Sequence, residues 1–80
     1  MQNVMVIKTS KRRDAADSIQ KTLTEFGCII KARIGLHEAG DFCSDEGLIL
    51  LQLLSDNDEV KKLEKTLGDL DGVEFKLVQI

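Results

Sequence analysis

The sequence contains no proline, tryptophan or tyrosine, and three phenylalanines are its only aromatic residues. Proteins that bind RNA on a β-sheet stack bases on aromatic side chains, so the shortage of aromatics argues against this class. A formal net charge of −3 points the same way, because nucleic-acid-binding domains are usually basic. We therefore expect no direct contact with nucleic acid.

Long apolar segments and catalytic motifs are also missing. The longest apolar run is much shorter than the roughly 20 residues that a helix needs to cross a membrane, so no membrane partner is expected. The chain has no glycine-rich phosphate loop and no Cys-x-x-Cys, and its single histidine belongs to no recognisable Ser-His-Asp arrangement. The sequence therefore predicts a protein that is not an enzyme.

The N-terminal residues lack the basic segment and long apolar core of a secretion signal. The two cysteines, Cys28 and Cys43, are therefore expected to be reduced thiols, and cytoplasmic localisation is predicted. The two are not expected to form a disulfide, because a hairpin that turns near Asp41 would place Cys28 at its far end.

The most apolar stretch of the chain is Leu48–Leu54, which lies between Gly47 and the polar segment Ser55–Asp58. A run of this length between turn signals predicts a strand that is buried on both faces. Val4–Ile7 is a second run of this kind. Together they predict two strands at the centre of a sheet.

Two further segments alternate between apolar and polar residues, which predicts strands with one solvent-exposed face. From Cys28 to His37 the apolar face contains Cys28, Ile30, Ala32, Ile34 and Leu36, and the other face contains Ile29, Lys31, Arg33, Gly35 and His37. In the segment 73–80 the apolar face contains Val73, Phe75 and Leu77, and the polar face contains Glu74, Lys76 and Gln79. These patterns predict edge strands.

Apolar residues at steps of three and four predict two helices. The first extends from about Lys11 to Phe26, and the second from Ser55 or Asp56 to Gly68 or Asp69. The resulting order is β-α-β-β-α-β in a single domain, residues 1–80. Short connections and right-handed crossovers make this an α+β fold, a ferredoxin-like sandwich with a four-stranded antiparallel sheet and two helices on one face.

The second face of such a sheet has no cover from within the chain. We expect it to expose Val4 or Met5 with Leu48, Leu50 and Gln52, and to join copies of the chain into a homo-oligomer, a dimer or a tetramer. The alternation alone leaves open which set faces the helices. If the assignment is reversed, the contact is formed by Ile49, Leu51 and Leu53.

Four segments occur together in an order that resembles one small family: Arg33–Gly35, Ser55–Asp58, Leu67–Val73 and Lys76. They resemble the iron-only hydrogenase system regulators, which are similar to ACT domains and to the C-terminal domain of the nickel-responsive transcriptional regulator. The resemblance implies a non-catalytic regulatory module that assembles through its sheet, with a role in transcriptional regulation. The segment that follows Gly35 is a few residues longer here than in the family pattern.

The resemblance also indicates where a ligand would bind. ACT domains hold small ligands near the loop before the first helix, often at subunit interfaces, and Lys11, Arg12 and Arg13 occupy that place. Basic side chains beside helix N-terminal amides suit a small anionic ligand. Arg33 is a further candidate anion contact. The Asp-x-Pro-Gly type of turn of amino-acid-binding ACT domains is absent, so solvated basic side chains are the alternative.

His37 and Cys43 form a second candidate site. The nickel-responsive regulator has a His and a Cys at this spacing in one square-planar site, a geometry that suits Ni(II) or Cu(II). That site takes further histidines, and Gly35 stands where one of them would be. We therefore expect no cofactor, and a nickel- or transition-metal-responsive protein using His37 and Cys43 is the alternative function. A small acylphosphatase-type hydrolase is a third hypothesis, testable on an acyl phosphate.

Overall fold

The computed structural model describes residues 2–10, 12–36, 47–55 and 57–80. Within them, four strands, two α-helices and one 3-10 turn follow each other in chain order. Their bounds are β1 (Asn3–Thr9), α1 (Arg12–Glu25), the 3-10 turn (Gly27–Ile29), β2 (Ile30–Leu36), β3 (Gly47–Leu53), α2 (Asn57–Gly68) and β4 (Val73–Gln79). Neither helix in this part of the chain is long and apolar enough to span a membrane.

The four strands form one antiparallel sheet in the order β2-β3-β1-β4. The two strands that are apolar on both faces are therefore central, and the two alternating strands are edges, as predicted. Gly72, with φ of 74°, supplies the left-handed turn before β4, a conformation that costs glycine little. The predicted ferredoxin-like α+β fold is confirmed.

The core lies between one face of the sheet and the two helices. Ile19 and Leu23 of α1 and Leu63 and Leu67 of α2 recur at helical spacing, and each is at most 2% exposed. They pack on alternate residues of the central strands, and the cluster contains Met5, Ile7, Ile29, Leu51, Leu53 and Val60 as well. The helices therefore cover the odd-numbered residues of β1 and β3.

The second strand differs from the prediction in its start and in its faces. It begins at Ile30, because Cys28 belongs to the preceding 3-10 turn, where it is an exposed free thiol. Ile30 pairs with Leu53, whereas Ala32 pairs with Gln52, so one residue is bulged between them. A bulge inserts an extra residue and reverses the alternation beyond it. Ile30 thus packs on the core, but Ala32 and Ile34 lie on the sheet face away from the helices.

A polar pair closes the covered side of the sheet at its end. Asn3 is 2% exposed; its Nδ2 donates to the carbonyl of Leu54 at 3.3 Å, and its Oδ1 accepts from Nε2 of Gln79 at 3.0 Å. The placement of Gln79 with Glu74 and Lys76 was therefore wrong, since Gln79 lies on the helix side. A buried amide without these bonds would cost stability.

Candidate functional site

The candidate site is the sheet face that the helices leave uncovered, here named the open face. On the central strands it carries the even-numbered residues, which alternate with the buried ones. The predicted contact residues Val4, Leu48, Leu50 and Gln52 all lie there and are half-buried. Met5 does not, because it is fully buried against the helices. Their role as an interface stays a prediction.

The strand register extends the open face beyond the predicted residues. One row across the sheet runs through Ile34, Leu50 and Val6 and ends at Lys76. The next row runs through Ala32, Gln52, Val4 and Val78. Together these rows form a mostly aliphatic surface at the middle of the face.

Exposed aliphatic side chains also occur at the margins of the open face. Ile34 is 56% exposed, and Ile80, which exchanges backbone hydrogen bonds with Gln2, is 81% exposed. Both are large apolar groups in contact with solvent. Sequence reasoning missed Ile34 because the bulge reverses its face, and it assigned Ile80 to no face because it followed the alternation of the fourth strand only to Gln79.

Polar groups border the aliphatic surface on two sides. At one end, Nε2 of Gln52 donates to Oε1 of Gln2 at 3.1 Å. At the other, Lys8 stands opposite Glu74, and Lys76 is the next residue of β4 on the same face. An apolar centre with a polar rim is the usual anatomy of a protein interface.

Arg33 does not lie on the open face. It pairs with Leu51, a residue of the covered side, and its Nη2 donates to Oε1 of Gln20 on α1 at 2.7 Å. The hydrogen bond joins the edge of β2 to the first helix and is exposed to solvent. The guanidinium is thus accessible, but it is separated from the open face by the sheet itself.

The remaining predicted residues are placed only in part. Arg12 and Arg13 are the first two residues of α1, and Lys11 lies outside the described residues. His37 and Cys43 also lie outside them. Among the residues that the structure describes, no group of three or more His, Cys, Asp or Glu side chains could hold a metal ion. Both the anion site and the metal site therefore stay predictions.

Solved structures share this fold over nearly the whole chain. The uncharacterized protein TM1266 from Thermotoga maritima superposes with a TM-score of 0.83 and 27% identity, covering 96% of this chain and 92% of that chain. The ACT domain from GTP pyrophosphokinase of Chlorobium tepidum gives a TM-score of 0.72 at 12% identity, covering 100% of this chain and 88% of that one.

A third match is a putative PII-like signaling protein from Thermus thermophilus, with a TM-score of 0.62 at 8% identity, covering 99% of this chain and 88% of that chain. No protein-family model and no curated protein matches the sequence. At identities of 12% and 8% the likeness establishes the fold and carries no activity. The chain has the ferredoxin-like architecture that ACT domains use.

Proposed function

We propose that this chain is a small, non-catalytic regulatory domain that acts as a homo-oligomer and binds a small anionic ligand at a subunit interface. Copies of the chain assemble through the open face. We further propose that the chain is a regulator of the iron-only hydrogenase system type. Its role in transcription would depend on a partner protein, because we expect no direct contact with DNA.

The uncovered aliphatic face is the observation that carries the proposal. Val6, Leu50 and Ile34 form a continuous row across three strands, and no helix of the described residues packs on them. Complete burial of an exposed aliphatic side chain contributes roughly 1.5–3 kcal/mol, and each of these partly exposed side chains would add a fraction of that, so several together support a stable contact. Contiguous apolar surface of this kind on a small domain marks an interaction site.

The fold supports the regulatory part of the proposal. An ACT domain from GTP pyrophosphokinase and a putative PII-like signaling protein share the architecture, and the second is named as a signaling protein. The sequence has three consecutive basic residues where α1 begins, Lys11, Arg12 and Arg13, and the backbone amides of a helix N-terminus favour an anion. These points make a sensing domain the best account of a fold without a catalytic motif.

The experiment is sedimentation equilibrium over a range of protein concentrations, with Leu50→Lys as the test variant. A lysine at the centre of the open face should abolish assembly through that face while circular dichroism stays unchanged. Thr24→Lys is the matched control, because it adds the same charge on an exposed position of α1. Equal masses for wild type and Leu50→Lys would contradict assembly through this face.

A melting-temperature screen completes the test with phosphate, amino acids, nucleotides and nickel chloride. Any ligand that binds only the folded state raises the melting temperature with its concentration. The proposal expects stabilisation by an anion. Stabilisation by nickel that is lost in His37→Ala would favour the metal-responsive alternative instead.

A further inference from the structure

The free edge of β4 is a surface separate from the open face. β4 pairs with β1 along its whole length without a register shift, and the strand order gives it no neighbour on its other side among the described residues. Ile80 exchanges both backbone hydrogen bonds with Gln2, and the N–H of Ser10 donates to the carbonyl of Gly72. These bonds fix which residues of β4 are tied to β1.

Residue pairs in an antiparallel ladder alternate between hydrogen-bonded and non-bonded. Since Gly72 and Ile80 bond to the β1 side, the even-numbered residues of β4 do so too. The odd-numbered residues of β4 therefore direct their N–H and C=O groups away from β1 and toward the free edge. These residues are Val73, Phe75, Leu77 and Gln79. The edge presents a row of donors and acceptors that can bond another strand.

The other edge of the sheet is built differently. β2 contains a bulge at Lys31, and Lys31 and Arg33 carry charge of the same sign. Bulges and basic residues on an edge are the features by which proteins prevent edge pairing. β4 has no bulge and no proline, and its two charged residues, Glu74 and Lys76, have opposite signs. Of the two edges, β4 is the one suited to pair with a strand.

We propose that two copies of this chain pair their β4 strands antiparallel about a two-fold axis at Phe75, so that the two sheets become one continuous sheet. In this register Glu74 of each copy stands opposite Lys76 of the other. Both pairs lie on the open-face side at non-bonded positions, where opposing side chains are closest. Each interface therefore contains the charge pair twice.

Charge selects this register from its neighbours. Shifting the two-fold axis by one residue, to Lys76 or to Glu74, places like charges directly opposite each other. A register in which odd-numbered residues oppose even-numbered ones would set free donors against groups already bonded to β1 and would reverse the faces. Like charges opposite each other destabilise a strand pair, whereas opposite charges stabilise it.

The helix side of the same register is apolar on both copies. Phe75 stands opposite Phe75 of the second copy, and Val73 stands opposite Leu77 of the second copy. All three are only half-buried within one chain. The pairing covers the remainder of these side chains, and aromatic and β-branched cross-strand pairs are among the favourable ones. Hydrogen-bonding groups, charges and apolar side chains are thus all matched by one register.

This interface goes beyond the proposed function, because it uses the edge of the sheet rather than the open face and does not depend on a ligand. If both contacts form, the open face and the β4 edge together produce a tetramer. If only the edge forms, the chain is a dimer.

Charge reversal tests the pairing. Glu74→Lys and Lys76→Glu should each weaken it by about tenfold, because two opposite-charge contacts become two like-charge contacts. An equimolar mixture of the two variants should recover the wild-type association, since each copy then supplies the charge that the other lacks. Lys76→Glu is the cleaner variant, because Glu74 also faces Lys8 within the chain. Sedimentation velocity measures association, and far-ultraviolet circular dichroism checks the fold.

Measuring the two single variants Lys76→Glu and Leu50→Lys side by side distinguishes pairing at the β4 edge from assembly through the open face. Loss of mass in Lys76→Glu but not in Leu50→Lys supports the edge and refutes the open face. Loss in Leu50→Lys alone refutes the edge and leaves the proposed function standing. Failure of the mixed variants to re-associate would also overturn the edge pairing.

Amide hydrogen exchange gives a residue-level readout. The N–H groups of Phe75 and Leu77 should be protected in the wild-type assembly and exchange much faster in Lys76→Glu. The N–H of Val78 is the matched control, because it belongs to the set that bonds β1 and should stay protected in both proteins. Equal exchange of Phe75 in the two proteins would overturn the proposal.

Discussion

The two faces of the sheet are built from the same strands and differ in what lies above them. On the helix side, Met5, Ile7, Leu51 and Leu53 are at most 1% exposed. On the open face, the residues that alternate with them, such as Leu50, are equally aliphatic but only half-buried. Both faces are therefore aliphatic, and only the packing distinguishes the one that the helices of this chain cover.

Leu51 and Leu50 are neighbours that point to opposite faces of the same strand. Leu51→Ala should lower the free energy of unfolding by about 2–5 kcal/mol, because it leaves a cavity between the sheet and the helices. If copies assemble through the open face as proposed, Leu50→Ala should cost less in dilute protein and more at high concentration, because a second copy would then bury this side chain. Urea titrations at several protein concentrations measure both. A concentration-dependent cost for Leu51→Ala would reverse the assignment of faces.

The fold could be predicted from the sequence because several local signals agree. Two doubly apolar runs, two alternating runs and two helical repeats have only one simple arrangement with short connections. The choice of covered face could not be predicted in this way. Val4 and Met5, or Leu50 and Leu51, are similarly apolar, so the alternation of the central strands contains no information about the side on which the helices lie.

The bulge in β2 was missed for a physical reason. The residues around it, Ile30, Lys31 and Ala32, include no glycine or asparagine that would mark an irregular backbone. The sequence pattern therefore predicts unbroken alternation through the bulge and places Ile34 with Ile30. Packing decides the register of β2 on β3. Ile30 packs on the core, and after the bulge Ala32 and Ile34 lie on the open face.

Two pairs of amide side chains at one end of the sheet also differ in the face on which they lie. Asn3 and Gln79 are hydrogen-bonded on the covered side, and Gln2 and Gln52 are hydrogen-bonded on the open face. Asn3→Ala should cost about 1–3 kcal/mol of unfolding free energy, because it removes the two part-buried hydrogen bonds of a side chain that is 2% exposed.

Gln52→Ala is the control, and in dilute protein it should change the unfolding free energy by less than about 0.5 kcal/mol, since its hydrogen bond is exposed. Equal costs for the two substitutions would mean that the two faces of the sheet are equally accessible to water at this end of β1.

The smallest effects are expected at Arg33 and Ile34, neighbours on opposite faces of an edge strand, where the bulge puts Arg33 on the covered side and Ile34 on the open face. Arg33→Gln should change the free energy of unfolding by less than about 0.5 kcal/mol, because its hydrogen bond to Gln20 is exposed. It should leave association unchanged. Ile34→Gln should be equally mild in the monomer but should weaken assembly through the open face. If Arg33→Gln weakened assembly as much as Ile34→Gln, the contact between copies would have to reach around the edge of β2, and the open face alone would not explain it.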